Sequence, residues 1–251
     1  MIPLNFIKQE GIHPLPIQPL EIIQQNGFWL YTYEQFSEIT GRDLEQICEI
    51  YGRDGFSMHI SCQYFIIYNS ARIKPRIKWT LMHELSHITL DHLENCKKCA
   101  TNQSTCDLGE GSRKDPYDQE ADRFTADVLA PIPLLLLCDV RDVKTLQRIT
   151  GMSSQASNIR FQQLLHANVS MQQLQAYEQQ FSDYIQYVSS DMFLADWNYD
   201  VETERWLRHK RKPSPKKEKK SRLVSCNLNR LLSTAIDEDM ARLSDLYYSV
   251  E

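Results

Sequence analysis

The spacing of apolar positions changes several times along the chain, and the changes mark out elements. Pro3, Pro14, Pro16 and Pro19 punctuate the first twenty residues, which predicts an extended lead-in. Leu20 to Gln25 reads as a short helix ended by Asn26-Gly27. Phe28 to Tyr33 (FWLYTY) is rich in aromatic β-formers and reads as a strand. Residues 34–51 predict a loop followed by a helix around Asp43 to Tyr51, with a turn at Gly52 to Gly55. Met58 to Tyr68 (MHISCQYFIIY) reads as the final strand of the chain, ending at Asn69-Ser70. After Pro75 the period switches. Trp79, Met82, Leu85 and Ile88 recur at helical spacing, followed by Leu90 and Leu93.

Residues 95–117 are polar and contain glycine, which predicts a loop. A second helix starts near Asp118 and runs to Pro131, with Ala121, Phe124, Thr125 and Val128 on one face. Downstream, two short helices are expected around Gly151 and another over 171–188. Beyond about residue 190 the pattern weakens. Pro213 and Pro215 lie in a charged run, and 223–251 can form one amphipathic helix on Leu228, Leu231, Leu232 and Ala235 without a core of its own. The expected fold class is α+β, with a helical extension after the second helix.

Composition narrows the setting. The chain has 251 residues, 42% hydrophobic and 24% charged, which excludes fibrous, collagen-like and wholly disordered classes. Seven cysteines at scattered spacings and a first segment without a basic region or an unbroken apolar core point to a reduced, cytoplasmic chain. No apolar run approaches the ~20 residues of a membrane span. The net charge of −5 hides an asymmetry. Residues 208–222 hold nine Lys/Arg and one Glu, leaving 19 of the 28 basic and 32 of the 33 acidic residues elsewhere. So acidic a body is a poor general nucleic-acid binder. The basic run reads first as a solvated linker and second as a binding arm.

The chemistry sits in His83-Glu84-Leu85-Ser86-His87, an H-E-x-x-H pattern. Residues four apart on a helix project from one face, so two imidazoles can take two corners of one tetrahedral metal site. The intervening Glu84 sits at the rim, where it can accept a proton from a metal-activated water whose pKa falls to about 7. An isolated match is as readily two surface histidines. Here the motif lies between apolar residues, and a helix with clustered acids follows 31 residues after His87.

The stretch I66-I67-Y68-N69, then RIKWTLMHELSH, then DQEADRFTADVLAP, resembles the ImmA/IrrE family of metallopeptidases. That family shows a strand ending in Asn, a basic lead into H-E-L-G-H, and then E-x-x-A-(N/D)-x-F-A-x-x-(L)-L-x-P. The similarity covers roughly residues 17–165. It implies a zincin-like core with a small sheet packed on the H-E-x-x-H helix, in a domain over 1–190. A variable segment with the basic linker (191–222) and a helical tail (223–251) follow. It also implies a zinc-dependent cytoplasmic endopeptidase that cleaves a regulatory protein such as a helix-turn-helix repressor. His83 and His87 carry over as metal ligands and Glu84 as general base. The family's third ligand is a Glu three residues before the Ala of the second helix, and here that position is Asp118. Glu120 is the alternative. Asp118 lies about 60° from Ala121 toward the apolar face and Glu120 about 100° away on the other side, which favours Asp118. Asp122, one turn on, is a candidate for orienting a ligating histidine, or a solvated acid. Ser86 stands where the family has Gly, a small-for-small change. Two histidines and a carboxylate also accept Mn and other divalent metals.

Other titratable groups accompany this motif. His92 lies five residues past His87, about 140° away on a continuous helix, which directs it off the metal toward a surface or supporting role. Cys96, Cys99 and Cys106 suit a separate zinc only with a fourth ligand such as His92, and otherwise read as free thiols. His59 and Cys62 read as packing residues on opposite faces of a strand. Residues 146–165 superficially resemble a helix-turn-helix, but the second helix carries only Arg160 as a base, so packing or substrate docking is preferred to DNA reading. The alternative to an enzyme is a regulatory binding partner that keeps the fold. A third possibility is that the 208–222 run tethers the protein near DNA.

Overall fold

Local signals in the chain set most of the element boundaries. The computed structural model describes residues 3–11, 15–60, 62–95, 115–188, 197–200 and 205–208. They fall into two compact units, one over Gln18–Thr125 and one that combines the described residues of Ile2–Ile17 with those after Thr125. The 96–114 segment with its three cysteines, most of the basic run and the 223–251 tail lie outside the described residues.

The first unit opens with α2 (Pro19–Gln25), preceded in the chain by α1 (Pro3–Gln9) of the second unit. Pro19 sits at the start of α2, where its missing N–H costs nothing. Strand β1 (Trp29–Thr32) leads straight into α3 (Tyr33–Thr40). Helix α4 (Leu44–Tyr51) follows, then the strands β2 (Gly55–Ile60) and β3 (Gln63–Tyr68). The long helix α5 (Lys74–Thr89), the short α6 (His92–Asn95) and α7 (Pro116–Leu129) complete this part of the chain.

Three expectations needed correction here. The lead-in is not wholly extended, because α1 forms between the prolines, with Pro3 as its first residue and Leu4, Phe6 and Ile7 buried. Residues 33–40 are helix rather than loop. Thr32 accepts from the Gln35 N–H while the Gln35 side chain accepts from the Thr32 N–H, a capping box hidden in a segment of β-formers. The run from Met58 to Tyr68 is not one strand but most of a hairpin. Ile60 pairs with Gln63, and Cys62 turns the chain at φ 64. His59 and Cys62 are consequently both exposed instead of packed inside, and His59 stacks on Tyr64 with ring centroids 4.4 Å apart.

The sheet has the order β1-β3-β2, with β1 parallel and β2 antiparallel to the central β3. Its alternation separates two environments. Phe56, Phe65 and Ile67 face α3 and α4, where they join Tyr33, Phe36, Ile47 and Tyr51 in an aromatic core. Tyr51 stacks on Phe56 at 4.1 Å between ring centroids, and Phe36 meets Phe56 edge-on at 5.3 Å. The alternate positions Gly55 and Ser57 turn to the opposite face, toward α5.

The second unit holds α1, α8 (Ile132–Leu137), α9 (Val143–Thr150), α10 (Ser154–Leu165), α11 (Met171–Val188) and an antiparallel hairpin of β4 (Trp197–Asp200) with β5 (Arg205–Arg208). Helices α9 and α10 meet through Gly151, at φ 66, as the helix-turn-helix-like spacing predicted. Arg160, its one expected base, is buried. Its Nε donates to the Ala130 carbonyl at 2.8 Å, and Nη2 meets Asp127 Oδ1 at 2.6 Å. The guanidinium is therefore a packing group. No helix among the described residues is long and apolar enough to cross a membrane.

Two outcomes follow from these contacts. A Cβ on Gly55 would lie 2.6 Å from Thr80 Cγ2 and 2.9 Å from the Ile67 carbonyl oxygen. Gly55→Ala should destabilise by about 1–3 kcal/mol in urea denaturation. The penalty should shrink but not vanish in a Thr80→Ser background, and equal penalties in both backgrounds would refute the close approach. Arg160→Met should cost about 1–3 kcal/mol by leaving the Ala130 carbonyl unpaired. Arg160→Lys should not restore it, because an ammonium cannot reproduce the guanidinium fork.

Candidate metal centre

Helix α5 carries the H-E-x-x-H residues through a buried stretch. Leu81, Met82, Glu84, Leu85, Ser86, His87 and Ile88 are all buried, and His83 is mostly so. Burying a carboxylate and two imidazoles is costly unless each is engaged, and partners arrive from three directions.

The sheet supplies the first. Ser57 of β2 donates to Glu84 Oε2 at 2.8 Å, with both groups buried. Ser57 was not anticipated as a site residue. The available signal was a hydroxyl at an inward position between Phe56 and Met58, on the face opposite the aromatic core.

Helix α7 supplies the second. Ser86 Oγ donates to the Met82 carbonyl at 2.7 Å and lies 2.9 Å from Thr125 Oγ1, with both residues fully buried. These are the two positions at which the resembling pattern has Gly in H-E-L-G-H and Ala after Phe. In this chain the two positions form a hydroxyl pair that joins α7 to α5.

That approach brings the acids of α7 to the imidazoles. His83 Nε2 and His87 Nε2 face one another at 3.1 Å. Asp118 Oδ1 lies 3.4 Å from His87 Nε2. Asp122 Oδ1 lies 3.0 Å from His83 Nδ1, close enough for a hydrogen bond though off the ring N–H direction. Glu120 points elsewhere, its Oε2 3.4 Å from His92 Nε2. Of the two carboxylates weighed from the sequence, Asp118 is the one brought to the pair.

The third direction is the chain immediately after α5. His92 is buried, with its Nδ1 3.1 Å from His87 Nδ1. The rotation of about 140° expected from sequence presumed an unbroken helix. Instead α5 ends at Thr89 with Leu90 as its cap, and Asp91 adopts the left-handed conformation at φ 57, which returns His92 to the inside.

The charges are arranged around the imidazoles. Burial lowers the His83 pKa, but Asp122, Glu84 and Asp118 outweigh it and hold the ring above the ordinary histidine range. Contact with His87 holds the Asp118 carboxyl below its usual range, against partial burial. Burial, and then the His87 ring, push His92 down, offset in part by Glu120.

The donor set fits a cation. One nitrogen from each of His83 and His87 and one oxygen of Asp118 lie within 4.8 Å of one another. Two nitrogens on one tetrahedral zinc are separated by about 3.3 Å, from Zn–N distances of about 2.0–2.1 Å. The 3.1 Å separation of the two Nε2 atoms is close to that, whereas one N–H···N bond would satisfy the pair without any need for a carboxylate beside it. The group of His83, His87 and Asp118 could thus hold a metal ion.

Comparison with known proteins agrees with this geometry. The family model described as Peptidase M78, IrrE N-terminal-like domain, matches residues 48–162, from α4 through most of α10. No curated protein matches the chain. No solved structure matches it either. Residues 48–162 thus match the Peptidase M78 family model, in agreement with the ImmA/IrrE resemblance of the motifs.

Proposed function

We propose that the protein is a metal-dependent endopeptidase with a zincin-like core. The observation that carries the reading is the convergence of His83 Nε2, His87 Nε2 and Asp118 Oδ1 beside a buried Glu84, within the matched domain. His83, His87 and Asp118 would hold the ion, with zinc the first choice and manganese or another divalent metal acceptable to the same donors. The metal would supply Lewis-acid polarisation of a peptide carbonyl and activation of water.

The chain's own residues provide the rest. Ser57 occupies Glu84 Oε2 and leaves Oε1 to take a proton from the attacking water and return it to the leaving amine. The hydrogen bond also fixes the carboxylate's rotation, so Oε1 keeps one direction. The Asp122 carboxylate 3.0 Å from His83 Nδ1 favours a proton on that nitrogen by its charge, which would leave the Nε2 lone pair for the ion. The substrate class is a regulatory protein such as a helix-turn-helix repressor, and the compartment is the cytoplasm. Both rest on the family resemblance, the second also on the free thiols of Cys48, Cys62 and Cys138. The variable 191–222 segment and the 223–251 tail stand outside the proposed catalytic domain.

Two measurements test the reading. Glu84→Gln should retain stoichiometric metal, measured by elemental analysis, while cleavage of a co-expressed repressor falls by at least about 10²-fold. Normal cleavage by Glu84→Gln, or no metal in the wild type, would sink the enzyme reading. Retained metal with an intact, co-purifying partner would favour a binding module instead. Asp118→Ala should weaken metal binding about 10-fold or more in chelator competition, whereas Glu120→Gln should bind nearly as the wild type does. The reverse ranking would move the third ligand to Glu120.

A further inference from the structure

We propose that His92 is a positioning residue for the metal centre: it accepts the Nδ1 proton of His87 and so fixes which nitrogen of that ring faces the ion. The inference rests on the metal-site reading above and adds a residue to it.

The argument is a count of protons. His87 Nε2 is the nitrogen that faces both His83 Nε2 and Asp118, so it is the ligating atom. A neutral imidazole carries one proton, and a ligating nitrogen must offer its lone pair. The His87 proton therefore resides on Nδ1. The atom that faces Nδ1 is His92 Nδ1, at 3.1 Å. Two N–H groups cannot point at one another, so His92 Nδ1 must be the bare nitrogen and the His92 proton must sit on Nε2. That proton faces Glu120 Oε2 at a longer 3.4 Å. One chain of donors thus runs from His87 through His92 to Glu120, and the tautomers of both rings are set by it.

The local fold supports a built arrangement over a chance contact. His92 is 3% exposed. The turn that delivers it needs Asp91 at a positive φ, which non-glycine residues rarely adopt. Its ring also lies 4.9 Å, centroid to centroid, from that of Tyr117 at the start of α7, which limits its rotation. The two ligating imidazoles are supported differently. A carboxylate, Asp122, stands behind His83, and a neutral imidazole stands behind His87.

The test uses the full chain and zinc as probe. In the zinc-loaded protein, nitrogen-correlated NMR of the imidazoles should show His92 with its proton on Nε2 and a bare Nδ1. His92 protonated on Nδ1 would overturn the proposal without any variant being made. In chelator competition, His92→Phe should bind zinc about 10–100-fold more weakly than wild type. His92→Asn should recover most of that loss, because its Oδ1 can accept where Nδ1 did. Equal affinity of His92→Phe and wild type, or no recovery in a folded His92→Asn, would also overturn it. A wild type that binds no zinc would instead remove the metal-site reading on which the proposal stands.

Discussion

The contact on which the site depends is the hydroxyl pair between Ser86 and Thr125. Asp118 is a short ligand candidate, one methylene less than the Glu of the family pattern, so its helix has to come close to α5. A close approach is ordinarily obtained with Gly and Ala. This chain obtains it with two fully buried hydroxyls that satisfy each other, while Ser86 also bonds back to the Met82 carbonyl. Thr125 stands seven residues, about 10 Å along the helix axis, from Asp118. A rigid helix converts its fixed position into a fixed position for Asp118 and Asp122. A hydroxyl left unpaired at either place would cost about 1–3 kcal/mol. The two departures from the family pattern are therefore intelligible only together.

The opposite side of α5 obeys a different constraint. Glu84 is buried, and a buried carboxylate is tolerated only if hydrogen-bonded. The partner is a serine on the sheet, and it is available because strand side chains alternate. One face of β2 contributes Phe56 to the aromatic core, and the next residue contributes Ser57 to the site. Gly55 has no side chain where α5 comes nearest, so helix and sheet can approach within hydrogen-bonding reach. The same two-residue period that builds the core thus orients the general base candidate.

Much of this was legible in the sequence, and the failures have identifiable causes. The H-E-x-x-H helix, the second acidic helix and the helices around Gly151 follow from spacing, and the preference for Asp118 over Glu120 from the family resemblance together with helical geometry. Helix α3 was missed because β-propensity in Tyr31-Thr32-Tyr33 masks the Thr32/Gln35 capping box, which decides the matter locally. The β2–β3 hairpin was missed because its turn lacks glycine and uses Cys62 at positive φ. Rotation counted along a continuous helix turns His92 away, but the helix ends three residues earlier. Ser57 had no signature of its own. Its role exists only once strand register places it opposite Glu84, and register is a long-range property.

Those same contacts set how the site would handle protons. Asp118, Asp122 and Glu84 all raise the pKa of His83, and burial does not cancel them. An imidazole held above its ordinary range is a better base, and the basicity that retains a proton also strengthens donation to a metal. Proton and cation therefore compete for His83, and binding of a divalent ion is coupled to proton release. At His87 the support comes from a ring that burial and a neighbouring imidazole hold below its usual range. In the proposed arrangement a neutral acceptor would fix the His87 tautomer without adding negative charge to a site already rich in carboxylates. Three acids thus act on His83, whereas a neutral imidazole stands behind His87, brought inward by the backbone turn at Asp91.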